Sequence, residues 1–454
     1  MAIETLNPAT GELIKKFEAH TAEEVKHKID LAEEAFQSWR NSSFEERAKH
    51  MEKQADILEN EAEKYGRIIS LEMGKPLKSA IAEVKKCATV CRYYAENAAS
   101  FMADEEIASG ASRSLISYEP LGVVLAIMPW NFPFWQVYRF LAPALMAGNV
   151  GLLKHASNVP QCALAIEEIV RHAGFPDNVF QSLLIGSKEV DAVIGHPHVK
   201  AVTLTGSELA GSKVAEKAGQ EIKKTVLELG GSDAFIVLDD ADLEQAAEMA
   251  VKSRMVNTGQ SCIAAKRFIV VESIADDFLQ RFKQKMQALK TGNPLEEDID
   301  YGPMARKDLA EELEKQVQDS VKHGAEIVLD GGREGNSNAY FKPMILKNVK
   351  PGMPAYEEEM FGPVAAVMIV KDEEEAIRVA NDSRYGLGGA VWTKDRARGL
   401  RVAKRVETGA MFVNAMVASS PEMPFGGIKK SGYGRELSYL GIREFVNQKS
   451  IWID

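Results

Sequence analysis

Two side chains in this sequence are placed to do covalent chemistry. Cys262 closes the stretch Asn257-Thr258-Gly259-Gln260-Ser261 and lies just before the run Arg267-Phe268-Ile269-Val270-Val271. A cysteine among small and polar residues at the mouth of a strand is placed as a nucleophile. The competing reading is a buried structural thiol, since free cysteine is among the most buried residue types. Upstream, Glu228 stands between two leucines in Val226-Leu227-Glu228-Leu229-Gly230-Gly231. Apolar surroundings raise a carboxylate pKa, which suits it to act as a base near neutral pH. A thiol and a tuned acid together indicate covalent catalysis.

Around these residues the chain supplies a large scaffold. Its 454 residues, 45% hydrophobic and 27% charged, can bury a large core and form two or three domains. A formal charge of -11 argues against nucleic acid or an anionic membrane as the main partner. No basic-then-apolar leader opens the sequence, and no apolar stretch approaches the roughly 18 residues of a membrane helix. A cytoplasmic protein is the expectation. Four cysteines in a chain this long do not make a disulfide framework. Cys87 and Cys91 share a helix face but have no nearby histidine, so no metal site is expected.

The first hundred residues read as helices. Thr21 and Glu24 form a capping box ahead of an apolar stripe through Val25, Ile29, Ala32, Phe36 and Trp39. Ser43 and Glu46 repeat the device, and a third helix covers 78–99. Residues 114–118 alternate as a strand outside the main sheet. From 123 onward apolar strands (123–127, 151–153, 179–185, 201–204, 225–229) alternate with helices (163–172, 188–194, 209–218). That pattern describes an open parallel sheet, which binds nucleotides at the carboxyl ends of its strands. A second α/β block follows, with strands at 234–238, 267–271, 366–370, 389–392 and 411–413 and helices at 243–255, 276–289 and 373–380. The cleft between two closely packed blocks is the natural site. A final strand at 450–453 is a hazard unless paired, and a partner subunit is a candidate to pair it.

Gly206-Ser207-Glu208-Leu209-Ala210-Gly211 follows a strand and opens a helix, the context of a phosphate contact. It matches neither the dinucleotide glycine fingerprint nor the Walker A loop. Lys154, ending an earlier strand, adds a cation within reach of a ribose or phosphate.

Taken in order, Pro129-Trp130-Asn131-Phe132-Pro133, Lys154, Thr205-Gly206-Ser207, Leu227-Glu228-Leu229-Gly230-Gly231, Gly259-Gln260-Ser261-Cys262, Glu359-Met360-Phe361-Gly362-Pro363 and Pro424-Phe425-Gly426-Gly427 resemble the aldehyde dehydrogenase superfamily over nearly the whole length. The resemblance is strongest to its succinate-semialdehyde dehydrogenase branch. It implies a Rossmann-like dinucleotide-binding domain (1–110 and 122–228), a catalytic domain (229–425) and a small β oligomerisation flap (111–121 and 436–454). It also implies a homodimer or homotetramer.

The implied reaction oxidises succinic semialdehyde to succinate. Cys262 attacks the aldehyde, and the oxyanion is met by the Asn131 amide and the backbone N–H of Cys262. Hydride passes to a nicotinamide, and Glu228 activates the water that hydrolyses the thioester. Trp130, Lys154, Ser157, Thr205, Gly206, Ser207, Leu229, Glu359 and Phe361 are implied cofactor contacts. Many members carry Glu where this chain has Ser157, and a carboxylate there repels a 2′-phosphate. A small hydroxyl beside Lys154 therefore predicts NADP in preference to NAD. His155, where Pro is common, is expected to be a packing or loop residue. Arg139 and Ser419 match positions that hold a distal carboxylate, although a structural salt bridge is the competing role for Arg139. Some members have a second arginine before Asn257, where this chain has Val256. Broad-specificity aliphatic or glutarate-semialdehyde oxidation is accordingly the alternative. A Cys–His hydrolase needs a histidine beside Cys262, and none is near it in sequence. A CoA-acylating enzyme typically lacks the acid found at Glu228. A non-catalytic protein on this fold has little use for Cys262, Glu228 and Asn131 together.

Overall fold

The structure is a computed structural model that describes residues 3–334 and 339–454. Its centre is a six-stranded sheet in the order Gly432–Tyr433, Lys224–Glu228, Val199–Thr205, Val123–Met128, Val150–His155, Phe180–Ser182. All neighbours are parallel except the first pair. Val123–Met128 is the first of these strands in the sequence. The chain builds outward from it to one side and then, beginning at Val199–Thr205, to the other. Connections on either side of such a switch point leave a crevice at the carboxyl ends of the strands. The segments that follow Met128, Thr205 and Glu228 begin there, as does Lys154 at the end of its strand.

A second sheet of seven strands runs Glu326–Leu329, Met344–Lys347, Val364–Val370, Arg267–Val271, Ala234–Val237, Gly388–Trp392, Ala410–Val413. It is parallel except at the Glu326–Leu329 edge. Its central strands are buried on both faces, one apolar cluster gathering Ile236, Ile269 and Val391 and the other Phe235, Phe268 and Trp392. Both sheets thus have the expected α/β character. Gly432–Tyr433 comes late in the chain yet joins the first sheet, beside the strand that ends in Glu228.

Helix starts follow their caps. Thr21 accepts from the Glu24 N–H while the Glu24 side chain accepts from the Thr21 N–H, a complete capping box on Ala22–Trp39. Ser43 accepts from the Glu46 N–H ahead of Phe44–Asn60. Other elements fall outside the sequence expectations. Ile3–Leu6 and Leu13–Phe17 form an antiparallel ribbon where only helices were expected. The second of these strands is almost wholly exposed and so shows no alternation. Trp135–Met146 is a helix with every residue buried, so it lacks the one-sided stripe that marks a surface helix. Lys307–Lys322 is a helix in a region for which the sequence suggested no element.

The terminal strand also departs from expectation. Val446–Ile453 pairs along its length with Arg113–Pro120 of the same chain, and Glu105–Glu106 completes a three-stranded antiparallel sheet. The partner invoked for that strand is therefore intramolecular on one side, and only its outer edge is unpaired. Among the described residues, no helix is long and apolar enough to cross a membrane.

Candidate active site

The segment before Cys262 is strained and heavily braced. Asn257, Thr258 and Gly259 follow one another with φ of 53°, 57° and 76°. That conformation is uncommon for a non-glycine residue and a genuine outlier for β-branched threonine. It persists because its neighbours fix it. Asn257 Nδ2 donates to the carbonyls of Asn131 at 2.7 Å and Gln260 at 3.1 Å. Arg254 Nη2 donates to the Gly259 carbonyl at 2.6 Å. The Ala305 N–H donates to Gln260 Oε1 at 2.8 Å. A Cβ on Gly259 would lie 2.3 Å from the Gly362 carbonyl oxygen, so this turn requires glycine. Asn131 Nδ2 in turn donates to Gln260 O at 3.2 Å. The amide expected to meet an oxyanion is thereby tied to the loop that carries Cys262. The Asn131 loop is fixed from below by Lys75, which donates to the Asn131 carbonyl at 3.0 Å and is ion-paired with Glu83. Glu83 also accepts the Phe134 and Trp135 N–H groups that open the helix Trp135–Met146.

Cys262 is half-buried, whereas Cys87, Cys91 and Cys162 are fully buried. Burial pushes its thiol up to about 12, against the pull of Arg139 and Lys266. A thiol held up in this way would need a base in order to act as a nucleophile. Glu228 is 2% exposed, and neither carboxylate oxygen has a hydrogen-bond partner. Burial raises its pKa well above the carboxylate range and the charge of Glu436 adds to this, while Arg139 and Arg435 act in the opposite sense. A buried acid without donors is costly to ionise and takes up a proton readily. Gly426 makes room for it, since a Cβ there would stand 2.6 Å from Glu228 Oε1.

Arg139 is held differently from the expectation that it faces a ligand alone. Its Nε lies 2.6 Å from Glu436 Oε2, with the two side chains 2% and 5% exposed. Its guanidinium sits 4.5 Å from the centre of the Phe425 ring. Phe425 and Glu436 are joined by a pair of backbone hydrogen bonds of 2.8 and 2.7 Å. The structural salt bridge therefore exists, but it does not exhaust the guanidinium, because Nη2 is buried without a partner. Ser419 Oγ accepts from Trp135 Nε1 at 2.9 Å and from Lys86 Nζ at 3.2 Å.

A cavity of about 310 Å³ opens where the two sheets meet. Trp130, Asn131, Thr205, Gly206, Ser207, Leu229, Cys262, Glu359 and Phe361 line it together with Gln136, Leu313 and Gln316. Cys262 thus shares one space with most of the residues expected to hold a dinucleotide. Several observations fit such a group. Thr205 Oγ1 is buried without a partner. Ser207 caps the helix Glu208–Gln220, whose first turn opens onto the cavity. Gly211 lets that helix close on Leu229, where a Cβ would come within 2.6 Å. Lys154 has a pKa lowered by burial and makes no ion pair among the described residues. Phe361 meets Trp130 edge-on with ring centres 5.8 Å apart.

Lys154, Ser157, Arg139 and Ser419 do not line this cavity. Ser157 accepts the Glu4 N–H through its carbonyl at 3.2 Å, so the N-terminal ribbon braces its loop. His155 is a packing residue: its Nε2 donates to the Pro133 carbonyl at 2.8 Å, and burial pulls the imidazole down to about 4. Among the described residues no group of three or more His, Cys, Asp or Glu is placed to hold a metal ion.

Lys266, Gln136 and Glu436 were missed by sequence reasoning. Lys266 is fully buried, donates to the carbonyls of Ser261 and Cys262 at 2.7 Å each, and lies 3.0 Å from Glu359. It therefore couples the nucleophile segment to the cavity-lining acid. A lone lysine just before an apolar strand gives no hint of this in sequence. Gln136 lies one helical turn before Arg139, a spacing that was available as a clue once the helix was known.

The geometry agrees with the comparisons to known proteins. The model of the aldehyde dehydrogenase family matches residues 1–451. The chain belongs to the aldehyde dehydrogenase family. It is 53% identical over 453 residues to a probable succinate-semialdehyde dehydrogenase [NADP(+)] of Synechocystis sp., with 100% of both chains covered. It is 50% identical over 456 residues to succinate-semialdehyde dehydrogenase [NADP(+)] 1 of Mycobacterium tuberculosis, again with full coverage of both. Among solved aldehyde dehydrogenase structures, the succinic semialdehyde dehydrogenase of Streptococcus pyogenes in complex with NADP+ superposes with a TM-score of 0.98. The two are 38% identical and each is covered completely.

Proposed function

We propose that this protein oxidises succinic semialdehyde to succinate with NADP as the preferred cofactor and NAD as a second. The observation that carries this reading is the pairing of a thiol and amide at the cavity between the two sheets with a buried, partly unpartnered guanidinium. Relatives named for this activity, at 50–53% identity over the full length, support it.

Cys262 is the nucleophile, and Glu228 accepts its proton. The Asn131 amide and the Cys262 N–H receive the charge that develops on the aldehyde oxygen in the thiohemiacetal. Preorganisation is the dominant contribution here, because the braced loop cannot relax away from the oxyanion. The bound nicotinamide cofactor supplies the hydride acceptor. Glu228 then takes a proton from the water that hydrolyses the thioester on Cys262. Thr205, Gly206 and Ser207 hold the phosphates through the helix terminus. Lys154 and Ser157 take the adenosine ribose with its 2′-phosphate, while Glu359, tethered by Lys266, takes the nicotinamide ribose. Trp130, Leu229 and Phe361 supply apolar contact.

Arg139 Nη2 and the Ser419 hydroxyl bind the distal carboxylate. Ser419 Oγ already accepts two donors, so its own hydrogen is left for an anion. One observation favours a broader aliphatic aldehyde dehydrogenase: Arg139 is already paired with Glu436. The domain limits are taken as 1–110 with 122–228, 229–425, and 111–121 with 436–454, in a cytoplasmic homodimer or homotetramer. The deciding experiment follows NADP and NAD reduction with succinic semialdehyde, glutaric semialdehyde and butanal. Equal kcat/KM for butanal and succinic semialdehyde would remove the substrate assignment.

A further inference from the structure

We propose that Lys86 is a second cation of the distal-carboxylate site, and so a determinant of specificity for aldehydes with an anionic tail. The inference rests on the reading of Arg139 and Ser419 given above. Lys86 lies on the helix Leu77–Phe101, far in sequence from either of them. Its Nζ donates to Ser419 Oγ at 3.2 Å and stands 4.1 Å from the centre of the Trp135 ring. Trp135 Nε1 donates to the same oxygen at 2.9 Å.

This cluster is rich in donors and poor in acceptors. Arg139 Nη2 is buried without a partner. Ser419 has its lone pairs engaged and its proton free. Lys86 has three N–H groups, of which one is engaged with Ser419. Among the described residues no carboxylate lies within ion-pair distance of Lys86, although such a partner is common for a half-buried lysine. Glu83, one turn away on the same helix, is already engaged by Lys75 and by two backbone N–H groups. Two cations and a hydroxyl that share only the Glu436 carboxylate are costly to assemble unless a further anion completes them. A carboxylate has the oxygens to accept all three. Because Glu436 already takes part of the Arg139 charge, a further cation is what gives the cluster a net attraction for an anionic tail.

Lys86 is also electrically poised. Burial and the charge of Arg139 bring its pKa down to about 8, with Cys87 and Glu83 acting in the opposite sense. Glu83 is engaged in its ion pair with Lys75, burial holds the Cys87 thiol well up, and burial raises the Glu436 carboxyl against the pull of Arg139. Lys86 is thus the cation of this cluster that loses its charge as pH rises through about 8.

The test uses the intact enzyme and the ratio of kcat/KM for succinic semialdehyde to that for butanal. The ratio cancels ionisation of Cys262 and Glu228, which both substrates share. In wild type it should fall as pH rises through about 8, because the cation is lost. Lys86→Met should lower it roughly ten- to a hundredfold at neutral pH and abolish that pH dependence. Lys86→Arg should restore the ratio and keep it high at alkaline pH. A Lys86→Met ratio equal to wild type, or a wild-type ratio flat across pH 8, overturns the role of Lys86 while leaving the succinic semialdehyde assignment standing. A wild type with no preference for the charged tail overturns the underlying reading and this inference with it.

Discussion

Ser419→Ala is the substitution that isolates recognition of the distal carboxylate. Arg139→Ala is the obvious alternative, but the structure shows why it reports on more than binding. Arg139 neutralises Glu436 across 2.6 Å in the interior and opposes the raised pKa values of Cys262 and Glu228. Removing one partner of such a buried pair typically costs about 3–5 kcal/mol. It also leaves the nucleophile and base harder to ionise, so every aldehyde should suffer. Ser419→Ala leaves that pair intact. It removes one hydroxyl donor to an anion, worth about 1.5–3 kcal/mol, or roughly ten- to a hundredfold in kcat/KM. Trp135 and Lys86 lose an acceptor in the variant, a cost that falls on stability and on both substrates alike. The assay compares succinic semialdehyde with butanal under saturating NADP, with thermal unfolding as a check on the fold. A loss confined to the semialdehyde is expected. Equal losses for both aldehydes, or none for either, would refute the reasoning.

Further outcomes follow from the same geometry. Cys262→Ala should abolish aldehyde oxidation while dinucleotide binding, followed by fluorescence titration, stays close to wild type. Glu228→Gln should slow thioester hydrolysis most, seen as a burst of reduced cofactor before slow turnover in stopped-flow absorbance. Ser157→Glu should reverse the preference for NADP, since a carboxylate near the 2′-phosphate costs on the order of 1–3 kcal/mol, roughly ten- to a hundredfold in kcat/KM. Sedimentation should show at least a dimer, and a monomer at micromolar concentration would remove the proposed assembly.

How much of this was legible in sequence depended on whether a residue's role was set locally. Strands 123–127, 201–204 and 225–229 were readable because a strand buried on both faces is a run of apolar residues, whatever packs on it. Trp130, Asn131, Thr205, Gly206, Ser207 and Leu229 were readable because they follow those strands closely, where an open sheet must bind its ligand. The all-apolar helix Trp135–Met146 could not be told from other buried segments by periodicity. Without it, Gln136 and Arg139 could not be placed on successive turns. Lys266, Lys86 and Glu436 escaped for a related reason. Each is an ordinary charged residue whose meaning comes from a partner between 4 and 333 positions away: Cys262 and Glu359, Ser419, and Arg139.

The orphaned state of Glu228 has a thermodynamic cost that can be separated from its catalytic use. Its pKa in the fold lies above the ordinary carboxylate value of the unfolded chain, first through burial and then through Glu436. Between those two values the native state holds a proton that the unfolded chain has released. Stability therefore falls as pH rises across that window and is greatest below it. Glu436 shifts in the same direction, so the pair adds to the slope. Glu228→Gln keeps the shape but removes the ionisable group. The variant should unfold at a higher temperature than wild type at about pH 8 and at a similar temperature near pH 3, where Glu228 is protonated in both states. An unsatisfied buried polar group typically costs about 1–3 kcal/mol and a charged one more, which sets the scale of the gain. Differential scanning calorimetry across that pH range measures it. If Glu228→Gln lowers the unfolding temperature at pH 8, the carboxylate has stabilising partners in solution and is not the unpaired base described here. A gain in stability with a loss of turnover would instead mark Glu228 as a residue kept in an unfavourable place because the chemistry needs it there.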